Sequence, residues 1–80
     1  MLKLFLIENT NERVSYDYYF NGVISAENKG NVTYNKQTEQ PKFALAETDI
    51  NRTNASMVFS KIRQCIKNGE FPFETMIIWY

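Results

Sequence analysis

The chain has 80 residues, of which 44% are hydrophobic and 22% are charged. Nine basic residues balance nine acidic ones, so there is no net field that would draw the whole molecule to nucleic acid or to an anionic membrane. We predict a single domain over residues 1–80, and a chain this short buries only about 60–65% of the surface that its unfolded form exposes.

The first half of the chain predicts a series of strands. Residues 2–7 are apolar at nearly every position, which is typical of a central strand covered on both faces. Residues 13–20 alternate between apolar and polar side chains, as in a strand with one buried face. Asn21-Gly22 favours a type I′ turn, and a short third strand is expected at residues 23–25. Further strands are expected around residues 32–34 and 42–47.

The second half predicts one helix and one strand. Apolar residues recur at i, i+3, i+4 and i+7 spacing, which is typical of an amphipathic helix. They are Ala55, Val58, Phe59, Ile62, Cys65 and Ile66. Asp49, Asn51 or Thr53 is expected to cap the start of this helix, and Gly69 to end it in a left-handed conformation. Residues 75–80 then form a last strand that is apolar on both faces.

This order, β-β-β-β-α-β, predicts an α+β fold: a single antiparallel or mixed sheet of four to five strands with one helix on one face. A helix of about 16 residues is about 24 Å long and 10 Å wide, so it covers only about two strands. We expect the first and last strands to be neighbours in the middle of the sheet. Their second face then needs another chain, or a sheet curled enough to cover itself.

The parity of the terminal strands stays open at this point. Either Leu2, Leu4 and Leu6 or Phe5 and Ile7 lie on the uncovered face. The last strand adds to that face either Ile77 and Trp79, or Met76, Ile78 and Tyr80.

Residues suited to catalysis are sparse. The chain has no histidine, the commonest general base and metal ligand. Cys65 falls on the apolar stripe of the helix, where a thiol is usually a small buried hydrophobic group. Glu47 and Asp49 are more typical of a strand end and a helix cap than of a cation site. We therefore predict no enzyme, no cofactor, no metal and no small-molecule substrate.

The leading hypothesis is a small protein-interaction or regulatory module that forms a homodimer or binds another protein. The expected contact residues are Phe5, Ile77, Trp79 and Tyr80. A single cysteine excludes an intramolecular disulfide, and no stretch is long and apolar enough to span a membrane, so a cytoplasmic location is expected.

The alternative hypothesis is a nucleic-acid-binding module. Every charge between Asp49 and Glu70 is basic, and a basic helix flank could contact phosphates while exposed tyrosines stack on bases. The residues expected to make these contacts are Arg52, Arg63, Lys67 and Tyr18.

Overall fold

The computed structural model describes residues 1–20, 23–45 and 53–78. Those residues form strands β1 (Leu2–Asn9), β2 (Arg13–Phe20), β3 (Lys29–Asn35), β4 (Gln40–Ala44) and β5 (Glu74–Ile77), with helix α1 (Thr53–Asn68) before β5. The strands make one antiparallel sheet in the order β4-β3-β2-β1-β5. The predicted α+β class and the order of its elements are confirmed.

The first four strands form a meander in which each strand pairs with the one before it. After β4 the chain passes through α1 and returns as β5, which pairs antiparallel with β1. β1 therefore has a neighbouring strand on each side, although α1 covers only one of its faces. Between Leu6 and Glu8 the register with β2 shifts at a bulge, so that Ile7 has no partner on β2.

The core lies between α1 and one face of the sheet. Alternation places the apolar positions of β1, β2 and β3 on this face, where the helix covers them. The buried apolar residues are Leu2, Leu4, Val14, Tyr16, Tyr18, Val32, Tyr34, Ala55, Val58, Ile62 and Cys65. Leu6, Phe43 and Ile77 are partly buried against this core.

The helix matches its sequence pattern closely but not completely. Gly69, just after α1, has φ of 75°, the left-handed conformation that was expected to end the helix. Ile66, predicted on the buried stripe, is 37% exposed because the last turn of α1 extends past the core, whereas Cys65 stays buried at 6%. The proposed caps Asp49 and Asn51 lie outside the described residues, as do Glu47 and the Asn21-Gly22 turn.

Three strand predictions were wrong. Residues 23–25 do not form a strand: the Val23 N–H donates to the Phe20 carbonyl in a turn, and β3 begins only at Lys29. β4 ends at Ala44, so Leu45 lies beyond it and is 41% exposed. The last strand is next to β1 as expected, but it forms an edge of the sheet rather than its middle.

Candidate interaction surface

The face of the sheet opposite α1, here called the open face, divides into two regions. Nothing among the described residues packs over it as a second layer. On β2 and β3 its side chains are polar and bond to one another. On β1 and β5 it carries apolar and aromatic side chains between ion pairs.

The polar region is centred on Asn31. Its Nδ2 donates to Ser15 Oγ at 3.0 Å and to Asp17 Oδ1 at 2.9 Å, and Thr33 Oγ1 lies 3.2 Å from Ser15 Oγ. The network lets Ser15 be buried, at 7% exposure, while its hydroxyl keeps hydrogen-bond partners. The polar groups of this region already form hydrogen bonds within the chain, so they do not need a partner to supply them.

The charged groups of the open face are paired, except for Lys42, which makes no ion pair with a described residue. Lys3 Nζ lies 3.3 Å from Glu74 Oε1, and Lys29 Nζ lies 3.5 Å from Asp17 Oδ2. Arg13 bonds to Glu8, and this hydrogen bond lowers the pKa of the Glu8 carboxyl. The face therefore presents ion pairs rather than a field of one sign, which is a poor surface for a polyanion.

Phe5 lies on the open face beside β5. Its ring meets that of Tyr19 edge to face, with centroids 5.9 Å apart, and Lys3 Nζ lies 5.6 Å from the Phe5 centroid. Among the expected contact residues, Phe5 is therefore on the uncovered side of the sheet. Ile77 is on the other side, because it pairs with Leu2 and packs against the helix-covered core. Trp79 and Tyr80 lie outside the described residues.

The strongest exposed apolar feature follows β5 itself. We call Phe73, Met76 and Ile78 the β5 edge patch; these side chains are 72%, 43% and 60% exposed. β5 pairs with β1 on one side, and no described strand pairs with its other side. An apolar strand with a free edge is a surface that other strands can extend.

From the sequence, Met76 and Ile78 were one of two possible parities and Phe73 was not identified, although a signal to choose the parity was present. Lys3 is the one charge in residues 2–7, and Glu74 begins the last strand; both are better placed in solvent than under a helix. Placing Lys3 outward places Phe5 outward with it, and placing Glu74 outward does the same for Met76.

The basic flank of α1 exists in part. Arg63 and Lys67 are exposed one turn apart and line a shallow polar depression together with Ser60, Gln64 and Asn68. Arg52 lies outside the described residues. Tyr18 is fully buried, and Tyr16 and Tyr34 are 1% and 5% exposed, so these tyrosines form core and not the exposed stacking platform that the alternative hypothesis requires.

Cys65 lies beside a depression of about 430 Å³ between the end of α1 and residues 70–72. The thiol is buried, and burial raises its pKa, which favours the neutral form over the nucleophilic thiolate. In the part of the chain that the structure describes, no three His, Cys, Asp or Glu side chains come together as metal ligands. None of the helices in that part is long and apolar enough to cross a membrane.

Comparisons with protein-family models, with curated proteins and with solved structures give no significant match to this chain.

Proposed function

We propose that this chain is a small cytoplasmic protein-interaction module that self-associates through the β5 end of its sheet. The observation that carries the proposal is the β5 edge patch: Met76 is exposed on the strand, Phe73 and Ile78 are exposed just before and after it, and no described strand pairs with the outer side of β5. The balanced charge of the chain supports the same conclusion, because two copies do not repel each other through a net field.

The strength of the association follows from the size of the patch. Burying a fully exposed large apolar side chain contributes about 1.5–3 kcal/mol, so half-exposed Met76 and Ile78 contribute about 1 kcal/mol each. Two copies together then gain about 4 kcal/mol from these residues, which only matches the low end of the entropic cost of association. These two residues alone therefore do not hold a dimer together. Further contacts across the interface must supply the net free energy, and we expect a weak association, at micromolar concentration or above.

Sedimentation velocity with two matched variants tests this proposal. Met76→Lys places a charge in the β5 edge patch, and Leu45→Lys places the same charge at the opposite end of the sheet. The two side chains are 43% and 41% exposed, so their replacement should disturb the folded monomer to a similar extent. We expect the dimer of the unaltered chain to persist in Leu45→Lys and to weaken at least about tenfold in Met76→Lys. Equal weakening in both variants, or a monomer throughout, would contradict the proposal.

A second candidate function is nucleic-acid binding by the basic flank of α1. It is favoured by the charges of the helix: Lys61, Arg63 and Lys67 are all basic, no acidic residue lies within Thr53–Asn68, and none of the three makes an ion pair with a described residue. Arg63 also lies 5.8 Å from the ring centroid of Phe59, which holds its side chain against the helix.

This second function predicts affinity for oligonucleotides that falls steeply with salt. Neutralising about two phosphates gives a slope of about −1.8 in log K against log salt for duplex DNA. A double variant with Arg63→Ala and Lys67→Ala should lose most of this salt dependence. Fluorescence anisotropy with single-stranded and duplex oligonucleotides at low salt measures this. Binding that is absent, or unchanged in the double variant, would eliminate the helix flank as a nucleic-acid site.

A further inference from the structure

We infer that the β5 edges of two copies pair antiparallel about a two-fold axis beside Met76, which joins the two sheets into one continuous sheet. This inference rests on the proposed function, and it specifies the partner and the geometry of the contact. The alternative geometry for the same dimer is packing of two open faces against each other.

The direction of the backbone groups on β5 carries the argument. The Leu6 N–H donates to the Phe73 carbonyl at 2.7 Å, which makes these two residues a hydrogen-bonded pair. Bonded and non-bonded pairs alternate along antiparallel strands, so the backbone groups of Thr75 also face β1. Those of Glu74 and Met76 then face away from the sheet, and no described residue bonds to them. The free edge thus carries unused donors and acceptors beside exposed apolar side chains.

The two edges of the sheet differ, and the difference selects a closed dimer. β4 contains Pro41, which has no N–H to donate, and exposed Lys42, and both features discourage pairing at an edge. β5 contains neither proline nor lysine. Pairing of β5 with β4 of a second copy would continue from copy to copy as an open filament, whereas pairing of β5 with β5 uses the same surface twice and closes.

Charge excludes an axis beside Glu74, and of the registers that remain we choose the one that brings the two exposed methionines together. An axis beside Glu74 would place two carboxylates directly opposite each other, which is destabilising in an antiparallel pair. An axis beside Met76 places the two methionines opposite each other and brings Glu74 opposite Ile78 of the second copy. Each Lys3 is then about 14 Å from its equivalent, three strand spacings away, and keeps its Glu74 partner.

The helix side of the same edge also has room for a second copy. A recess of about 290 Å³ lies between α1 and β5, lined by Met57, Ser60, Lys61, Gln64 and Ile77. The helix therefore does not cover the edge completely. Side chains that point to this side from a paired strand, such as Thr75 of the second copy, would enter or border the recess.

The area available is small. β5 has four residues, so the strand that pairs is only about 13 Å long and contributes little contact area. Stable complexes bury about 800 Å² of accessible surface on each partner. Edge pairing thus agrees with the micromolar association expected above and does not require a tight dimer.

Disulfide trapping distinguishes edge pairing from packing of the open faces. In a Cys65→Ala background, single cysteines are placed at Met76 on the β5 edge, at Lys42 on the β4 edge and at Tyr19 on the open face. A disulfide needs Cα atoms within about 7 Å, which the edge dimer provides only at position 76, since the two Tyr19 positions would be about 24 Å apart. Each protein is oxidised at about 100 µM, and sedimentation of the reduced protein is measured in parallel.

We expect Met76→Cys to form a covalent dimer at least about tenfold faster than Lys42→Cys or Tyr19→Cys. Suppose that the reduced protein dimerises but that Tyr19→Cys or Lys42→Cys reacts as fast as Met76→Cys, or that no cysteine reacts. Either result would overturn edge pairing and leave the proposed function standing. A protein that stays monomeric at every concentration would overturn both.

Hydrogen exchange on the unaltered chain gives a second test that needs no substitution. The Glu74 and Met76 amides face away from β1, so their exchange should slow several-fold as the dimer forms with rising concentration. The Thr75 amide faces β1 and serves as an internal control that stays slow throughout. Exchange at Glu74 and Met76 that does not change between monomer and dimer would overturn the edge geometry.

Discussion

Gly30 lies beneath the ring of Tyr18 on the neighbouring strand. An added Cβ would be 2.5 Å from the Cε1 and Oη atoms of Tyr18, whose side chain is fully buried in the core. We predict that Gly30→Ala lowers the free energy of unfolding by about 2–3 kcal/mol through overpacking, measured by urea denaturation.

Gly69→Ala is the matched control for this prediction. Gly69 has φ of 75° and no atom near a new Cβ, so alanine there meets backbone strain and no clash, at a cost of about 1 kcal/mol. If Gly30→Ala costs no more than Gly69→Ala, the Tyr18 ring is not confined as the structure indicates.

Tyr16 combines a buried ring with a hydroxyl that donates to the Pro72 carbonyl at 2.6 Å. Burial, and to a smaller extent Cys65, raises the pKa of Tyr16 from 10.0 to about 12. Because the folded pKa is the higher one, the neutral phenol stabilises the fold fully below pH 10 and loses that effect as pH rises towards about 12.

We predict that Tyr16→Phe lowers the free energy of unfolding by about 1 kcal/mol at neutral pH, because it removes one hydrogen bond. Between pH 10 and about 12 the unaltered chain should lose stability more steeply than this variant, and the two curves should approach each other. Urea denaturation across this range measures both. Parallel curves would show that the Tyr16 phenol titrates as in the unfolded chain.

At the scale of the helix, two isoleucines one turn apart differ in their contacts. Ile62 is fully buried in the core, and Ile66 is 37% exposed beyond it. We predict that Ile62→Ala costs about 3 kcal/mol and Ile66→Ala less than about 1 kcal/mol, measured by thermal or urea unfolding. Similar costs would mean that the last turn of α1 also rests on the sheet.

The helix and the strands could be predicted where a hydrophobic periodicity extends over many residues. The stripe of α1 and the alternation of β2 each repeat a fixed spacing over eight or more residues, and both were identified from sequence. Residues 23–25 are apolar for too short a stretch to distinguish a strand from a turn. The position of β5 at an edge could not be derived either, because an apolar strand is typical of the middle of a sheet.

The candidate surface was predictable in place but not in detail. The terminal strands were expected to carry it, and Phe5 does lie on the open face. Ile77 faces the helix instead, because register with Leu2 fixes its parity. Burial of Tyr18 agrees with the alternation of β2, which predicted one buried face, and it contradicts only the alternative hypothesis that used Tyr18 as a nucleic-acid contact.

For the molecule as a whole, apolar and backbone contacts should govern association. The ion pairs of the open face form within one chain, so there is little electrostatic attraction between copies for added salt to screen. We predict that the dissociation constant changes less than about threefold between low and high salt, measured by sedimentation. A fall in affinity of tenfold or more with added salt would show that charge, and not the β5 edge patch, holds the copies together.

The central claim is that the free edge of β5 is a contact surface between copies of this chain. The most direct measurement is a dilution series of amide spectra by nuclear magnetic resonance on the unaltered protein. We predict concentration-dependent shifts at residues 73–78 and at β1 positions beside them, with β4 and the exposed flank of α1 unchanged. Spectra that do not change with concentration, or shifts that map to α1 or β4 and spare β5, would contradict the claim.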